Sequence, residues 1–418
     1  MAQLSDDCFA FGGALLSVEA AAALIAERVP PLPGAESVPL TAARGRILAE
    51  DLRAPQPLPP FFNSAVDGYA FRHADLDPSG ETRLRLAFRL AAGQAASEPL
   101  LPGTACRILT GAPMPPGADT VMMQEDARLE DAFLLLPPGL KHGANCRPAG
   151  EDVAEGALAL PAGRVLDAPA IGLAAALGQA VLSVRRRPRI GVFSTGDELA
   201  APGTPLGPAQ TYDSNRFSLL ALLGGLPVQA VDLGILPDRA GATDAALRAA
   251  AAEHDMLLTS GGVSAGEEDH VRAAIQAAGS LVFWRLALKP GRPAALGVVG
   301  GTPVLGLPGN PVASFVTFLH LARPLVLQLC GAAPSPLPRF VAEAGFAYRK
   351  KAGRREYVRV RLAPPAEGGL PLAAKYPREG AGLLSSLTGS DAFAELPEAA
   401  TGVAPGERIT ILPFAGLF

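Results

Sequence analysis

Ile190-Gly191-Val192-Phe193-Ser194-Thr195-Gly196-Asp197-Glu198-Leu199 is an apolar run that ends in two hydroxyls, a glycine and two carboxylates. Short β-type runs like it recur at 228–234, 256–260, 281–288 and 304–307, with helical patterns between them at 215–223, 243–253, 269–278 and 312–329. Such alternation specifies a parallel sheet with helices on both faces. Ligands of open α/β sheets bind beyond the carboxyl ends of the strands, so the residues after each run are the informative ones. The second run leads to Gly234-Ile235-Leu236-Pro237-Asp238, and the third to Ser260-Gly261-Gly262-Val263-Ser264-Ala265-Gly266-Glu267-Glu268-Asp269. The fourth leads to Lys289-Pro290-Gly291-Arg292-Pro293 and the last to Pro308-Gly309-Asn310-Pro311.

Two of these turns combine glycine with hydroxyls, which lets backbone N–H groups approach an anion at a helix start. Lys289 and Arg292 add cations, and Lys289 is one of only five lysines in the chain. Glu198, Asp238 and Asp269 are expected on the same rim, where carboxylates beside bound phosphates suit a Mg²⁺ ion that keeps several waters. A metal bridging phosphate oxygens would stabilise charge on a leaving group. Each feature alone has a plainer reading, as tight turn geometry or as a solvated or capping carboxylate. Their coincidence at one sheet edge is what points to a phosphorylated ligand.

Gly262-Val263-Ser264-Ala265-Gly266 also satisfies the G-x-S-x-G nucleophile elbow. Between Ser264 and the last histidine, His320, the only carboxylates are Glu267, Glu268 and Asp269, too near the serine to come from a separate strand end. That weighs against a serine hydrolase, and Ser264 reads as a ligand for an oxyanion.

On the N-terminal side, 17–29 has helical spacing, with Ser17 before it and Pro30-Pro31 after it. A second helix is expected at 41–51, followed by a Pro-rich hinge at 54–60. From 71 to 150, apolar alternation at 84–90, 105–109 and 133–136, broken by Gly and Pro, predicts a small all-β domain. Helical pattern returns at 167–177, with Asp167 as N-cap and Gly178 at the stop. After the Pro-rich link 332–338 the pattern is β again, as at 356–362, and predicts a small barrel or sandwich. The expected fold class is multidomain α/β and β. A linker domain at 1–54 and 155–187 is interrupted by a β insertion at 55–154; a doubly wound domain at 188–331 and a C-terminal β domain at 332–418 follow.

A chain of 418 residues has room for two to four such domains. The net charge of −4, from 36 basic and 40 acidic residues without long like-charge runs, disfavours a broad nucleic-acid face. Cys8, Cys106, Cys146 and Cys330 lie far apart with no C-x-x-C spacing, which argues against a disulfide framework or zinc site and suits a reducing compartment. Residues 1–8 carry Asp6 and Asp7 without a basic residue, unlike a secretory signal. Apolar stretches such as 294–307 are broken short of the roughly 18 residues a membrane span needs. A cytoplasmic protein with no nucleic-acid or membrane partner is expected.

Outside the central domain, Asn63, Ser64, Asp67 and Tyr69 form a polar cluster beside the hinge, and an Asx-type turn would explain it equally well. Thr110-Gly111-Ala112-Pro113-Met114-Pro115 reads equally as a strand-ending turn, and Arg147-Pro148-Ala149-Gly150-Glu151-Asp152 mixes charges without an obvious structural need. Chemistry alone does not place these three segments in one site.

From about residue 17 to the C-terminus, the chain resembles the molybdopterin molybdenumtransferase family, which includes the bacterial MoeA proteins and the E domain of gephyrin. The resemblance is carried by the segments at 63–70, 110–113 and 147–152, by Ser194-Thr195-Gly196-Asp197-Glu198-Leu199 and by Tyr212-Asp213-Ser214-Asn215-Arg216. Ser260-Gly261-Gly262-Val263-Ser264, Lys289-Pro290-Gly291-Arg292-Pro293 and Leu307-Pro308-Gly309-Asn310-Pro311 complete it. It implies a four-part subunit with a molybdopterin-binding-like doubly wound domain and a C-terminal barrel. It also implies a homodimer whose active site lies between the α/β domain of one subunit and the β insertion of the other. The substrates implied are adenylyl-molybdopterin and molybdate, with Mg²⁺ as cofactor and AMP released.

By matching motif, Asp67, Thr110 and Asp152 would act from the insertion, and Glu198, Asp238, Asp269 and Lys289 from the α/β side, the first three of these holding the metal. Ser194, Thr195, Gly196, Asp213, Asn215, Ser260, Gly261, Gly262, Ser264, Arg285, Pro308 and Pro311 would bind the pterin substrate. Lys289, Arg292, Arg354 and Ser385 or Ser386 resemble molybdate-handling positions. Two departures stand out: arginine at 285 and 292, where several members have lysine, changes a point charge into a fork, and Gly380-Ala381-Gly382 lacks the hydroxyl of a Gly-Ser-Gly turn. The pterin-adenylating step is a competing activity, opposed by the long flanking segments. A gephyrin-like scaffold is a competing role, without that protein's appended linker and extra domain. Transient contact with a molybdopterin adenylyltransferase is a further partner expectation.

Overall fold

The structure is a computed structural model, and it describes residues 15–236, 241–261, 270–365 and 369–417. At its centre, Met256–Ser260 and all but the first residue of Arg189–Thr195 are buried, the pattern of strands covered by helices on either side. They belong to a six-stranded sheet in the order Gln229–Leu236, Arg189–Thr195, Met256–Ser260, Thr302–Leu307, Pro293–Val299, Gly279–Arg285. The first four strands run parallel. Ile190, Val192, Met256 and Leu258 pack on one side with Leu219, Leu222 and Leu223 of the helix Asn215–Gly224 and with Val312 and Val316. Phe193, Leu257 and Val304 pack on the other with Leu247 and Ala251 of Ala242–Glu253 and Val271 and Ile275 of His270–Ala278. Period-two alternation along each strand supplies both faces, and the domain is doubly wound as expected.

The far edge of the sheet holds one strand the sequence pattern did not mark, Pro293–Val299, which runs against the other five. The run predicted at 281–288 forms the edge strand Gly279–Arg285, antiparallel to Pro293–Val299, which is itself antiparallel to Thr302–Leu307. The cause is Gly300-Gly301, at φ +57° and +94°, with Val299 facing Thr302. A two-residue turn with both positions left-handed matches the twist of a hairpin and returns the chain beside itself. On the other side of the sheet, the chain passes from Arg189–Thr195 to Gln229–Leu236 and then back across to Met256–Ser260. The crevice at this switch of direction opens between the tips Thr195 and Ser260.

Flanking the insertion, Ala35–Pro39 pairs with Val181–Arg185 and Leu52–Arg53 with Leu158–Leu160. Val38, Leu48, Leu160, Leu166, Ala170 and Val184 share one core. The helix Val18–Arg28 starts at Ser17, whose Oγ accepts the Ala20 N–H at 3.1 Å, and Ala168–Ala176 starts at Asp167, whose Oδ1 accepts the Ala170 N–H at 2.9 Å. Both are the acceptor caps the sequence predicts. The helix expected at 41–51 is only a 3-10 turn, Leu40–Ala42. Gly45 turns at φ +73°, and the next N–H groups bond elsewhere, Leu48 to Arg164 O and Ala49 to Ser183 O, so tertiary pairing overrides local propensity there.

The insertion is a six-stranded sheet in the order Thr120–Met123, Gly68–Phe71, Thr104–Ile108, Thr82–Leu90, Phe133–Leu136, Arg128–Glu130. At the C-terminal end, Arg355–Ala363, Leu372–Lys375, Phe340–Ala344, Arg408–Pro413 and Ala392–Leu396 follow one another, and the last pairs back onto the first to close a barrel. Closure removes the unpaired edges an open sheet would leave. The helical stretch Pro311–Leu329 is long and apolar enough to cross a membrane by composition, but 78% of its most apolar window is buried inside the molecule. It serves as a core element beneath the central sheet.

Candidate active site

Ser194 and Thr195 end the first strand of the central sheet, and their hydroxyls are buried with no hydrogen-bond partner among the described residues. A buried hydroxyl without a partner costs about 1–3 kcal/mol, so two in succession beside the crevice are groups that a ligand would satisfy. Gly196 follows at φ +141°, and a Cβ there would lie 2.5 Å from Glu198 Oε2. Glycine is what lets the exposed Glu198 carboxylate fold back over the strand tip.

Across the crevice, Ser260 Oγ donates to Pro308 O at 3.0 Å and accepts from Asn215 Nδ2 at 2.9 Å. The same Asn215 amide donates to Gly309 O at 2.7 Å, and the Gly261 N–H donates to Leu307 O at 3.0 Å. Asn215, at the start of a helix, therefore ties two neighbouring strand tips together. Asp213 just before it is buried, and it takes the Arg216 Nε–H at 2.8 Å while the same guanidinium reaches Asp232. Pro311 opens the next helix, where a missing N–H is harmless.

The Leu288–Lys289 strand leaves the α/β unit and pairs in parallel with Arg355–Glu356 of the barrel. Beside it lies a cavity of about 190 Å³. Lys289, Arg359, Lys375 and Arg378 line it against the carboxylates of Glu356 and Glu379. Four cations to two anions leave an excess of positive charge that favours a compact dianion. Lys289 Nζ donates to Glu356 Oε2 at 2.9 Å and to Tyr348 Oη at 3.2 Å. Burial pulls the Lys289 pKa down, but its hydrogen bonds to Glu356 and Tyr348 outweigh burial and hold it above the ordinary value. Arg359 Nη1 donates to Gly380 O at 2.9 Å, and its Nε is buried without a partner among the described residues. The turn Gly380-Ala381-Gly382 is then fixed to the central domain, because Ala381 O accepts the Val312 N–H at 2.9 Å. A Cβ on Gly382 would stand 3.7 Å from Asn310 Oδ1, so the cavity and the strand-tip loop 308–311 share this turn as a wall.

In the insertion, Asp67 Oδ1 accepts both the Thr110 hydroxyl and the Thr110 N–H at 2.7 Å. These two bonds, the hydroxyl's foremost, hold the Asp67 carboxyl below its usual range. The Gly111 N–H donates to Ser64 O at 2.9 Å and the Ser64 N–H to Ala112 O at 3.0 Å. Asn63–Ser64 pairs with Cys146–Arg147, and the Asp152 N–H donates to Leu58 O at 3.0 Å. The three polar segments that chemistry alone left apart are thus joined through their backbones.

Asp238, Gly262, Ser264 and Asp269 lie outside the described residues. Arg285 pairs through its backbone with Pro293. Arg292 is exposed, with its carbonyl accepting the Leu286 N–H, and neither it nor Arg354 lines the cavity beside Lys289. Ser386 is buried and bonds Leu383 O, whereas Ser385 reaches Tyr376, which does line the cavity. Tyr348, Glu356, Arg359, Lys375 and Arg378 were not foreseen as site residues. Lysine scarcity was a usable signal, since Lys289 and Lys375 are two of the chain's five.

Fold and site together define a doubly wound α/β protein with a β insertion and a closed barrel that contributes side chains at the carboxyl edge of the central sheet. Three family models match it in order: the MoeA N-terminal region, domains I and II, over residues 16–178; a "Probable molybdopterin binding domain" over 191–328; and the MoeA C-terminal region, domain IV, over 341–414. A molybdopterin molybdenumtransferase of Haemophilus influenzae is 38% identical over 402 residues, spanning 96% of this chain and 99% of that one. Molybdopterin molybdenumtransferase 2 of Mycobacterium tuberculosis is 35% identical, over 90% of this chain and 94% of its own. The crystal structure of a molybdopterin biosynthesis moeA protein from Pyrococcus horikoshii superposes with a TM-score of 0.81 at 28% identity, covering 96% of this chain and all of that one. The chain belongs to the molybdopterin molybdenumtransferase family.

Proposed function

We propose that this chain inserts molybdenum from molybdate into adenylyl-molybdopterin, yielding the molybdenum cofactor and AMP. The observation that carries the reading is the shared wall at Gly380-Ala381-Gly382. On one side of it stand the strand tips Ser194, Thr195 and Ser260, suited to phosphate oxygens, and on the other the cation-rich cavity of Lys289, Arg359, Lys375 and Arg378. A nucleotide-linked pterin and a tetrahedral oxyanion would therefore meet at one edge.

In this reading Ser194, Thr195 and the backbone at Gly196 and Gly261 bind the phosphates, Asn215 fixes Ser260, and Lys289 and Arg359 receive the oxyanion. Holding both reactants at the junction lowers the entropic part of the barrel-side reaction with the pterin. The exposed Glu198 carboxylate over Gly196 offers the hard oxygen donors that Mg²⁺ takes, and Asp238 and Asp269 would complete its set. Mg²⁺ held there would neutralise charge on phosphate oxygens. Asp67, Thr110 and Asp152 are assigned to a homodimer, in which each insertion supplies its cluster to the other subunit's crevice. The domain division at 54/55, 154/155, 187/188 and 331/332, a cytoplasmic location and passing contact with a molybdopterin adenylyltransferase belong to the same proposal.

Purified protein given adenylyl-molybdopterin, Mg²⁺ and molybdate should release AMP, measured by liquid chromatography. Release no greater than that of a Glu198→Ala variant would reject the proposal.

A further inference from the structure

Glu356 is the most deeply buried carboxylate on the cavity, 1% exposed, and its Oε1 has no partner among the described residues. Oε2 alone takes the hydrogen bonds, from Lys289 Nζ and Tyr348 Oη, each at 2.9 Å. Lys289 and Tyr348 also meet directly at 3.2 Å. The three groups come from three separate strands, Leu288–Lys289, Tyr348–Arg349 and Arg355–Ala363. An ammonium has three N–H donors. Two are engaged, and the third remains for the cavity that Lys289 lines.

The pair joins a buried carboxylate to an ammonium that is 46% exposed, and a solvent-screened pair of this kind adds little to stability. Its value lies in fixing a geometry. Resting on the proposed transferase reading, we propose that Glu356 and Tyr348 are positioning residues of the transfer reaction, holding Lys289 charged and with one N–H directed at the bound oxyanion. The other charged groups facing this triangle are Lys375, Lys350, Arg359, Arg378 and Glu379. Cations outnumber anions among them, so with Glu356 neutralised the Lys289 proton is held less firmly. Oxyanion binding should then be lost at lower pH than in the natural chain.

The experiment uses the full-length chain and sodium molybdate, with binding followed by titration calorimetry from neutral to alkaline pH. Glu356→Gln is expected to weaken binding about tenfold at neutral pH, the scale of one charge-assisted hydrogen bond, and to bring the alkaline loss of binding to lower pH. Tyr348→Phe should shift both readouts the same way by a smaller amount. In a Lys289→Met background, Glu356→Gln should cost nothing further, because coupled residues are not additive. Natural affinity and pH dependence in Glu356→Gln, or full additivity with Lys289→Met, would overturn the inference. Should Glu356→Gln fail to fold, Tyr348→Phe decides by the same readouts. A natural chain that binds no molybdate at any pH would instead overturn the transferase reading, and the inference with it.

Discussion

The Val312 N–H donates to the Ala381 carbonyl at 2.9 Å, across the junction between the apolar core helix and the barrel. That backbone bond seats the Gly380-Ala381-Gly382 turn against the loop that follows the last parallel strand, and so brings two halves of the site together.

Because the bond uses a carbonyl, the side chain at 381 can change without losing it. Ala381→Ser is expected to melt at the natural temperature and to bind molybdate about threefold more tightly, the worth of one neutral hydrogen bond. Calorimetry checks this, and unchanged affinity would mean the 381 side chain does not meet the anion.

Thr110 holds the Asp67 carboxylate through two hydrogen bonds, and that carboxyl consequently ionises below its ordinary value. The ionised form is present above the lowered pKa and is lost as pH falls through it. Thr110→Val removes the stronger contribution, so the acid limb of the pH–rate profile should move to higher pH while the rate on the neutral plateau changes less. An unmoved acid limb would detach Asp67 ionisation from activity.

Asp213 and Arg216 are both buried and paired at 2.8 Å. Asp213→Ala would leave Arg216 with Asp232 alone, and breaking a buried pair from one side costs about 3–5 kcal/mol. Denaturant unfolding should register that loss. Equal stability would show that Asp213 is held for ligand contact and not for the start of the Asn215 helix.

The strand tips were legible in the sequence because each combines an apolar run with an abrupt change to Ser, Thr and Gly, as at Phe193-Ser194-Thr195-Gly196. Caps at Ser17 and Asp167 were legible for the same local reason. The Gly300-Gly301 hairpin carried an equally local signal, yet the short runs beside it fit a parallel strand and a hairpin arm alike. What local pattern cannot hold is the pairing of Lys289 with Glu356, 67 residues later, or of Asp67 with Thr110, 43 residues later. Which arginine meets the cavity is likewise a matter of barrel placement: Arg359 lies within the strand Arg355–Ala363 and lines the cavity, whereas Arg354 precedes that strand and does not.

A crystal of the full chain soaked with AMP and molybdate, with anomalous data collected at the molybdenum edge, tests the shared-edge geometry most directly. The account predicts the molybdenum peak in the cavity of Lys289 and Arg359, with the AMP phosphate at the tips of Ser194, Thr195 and Ser260. A molybdenum peak elsewhere, with the AMP phosphate away from those strand tips, would contradict it.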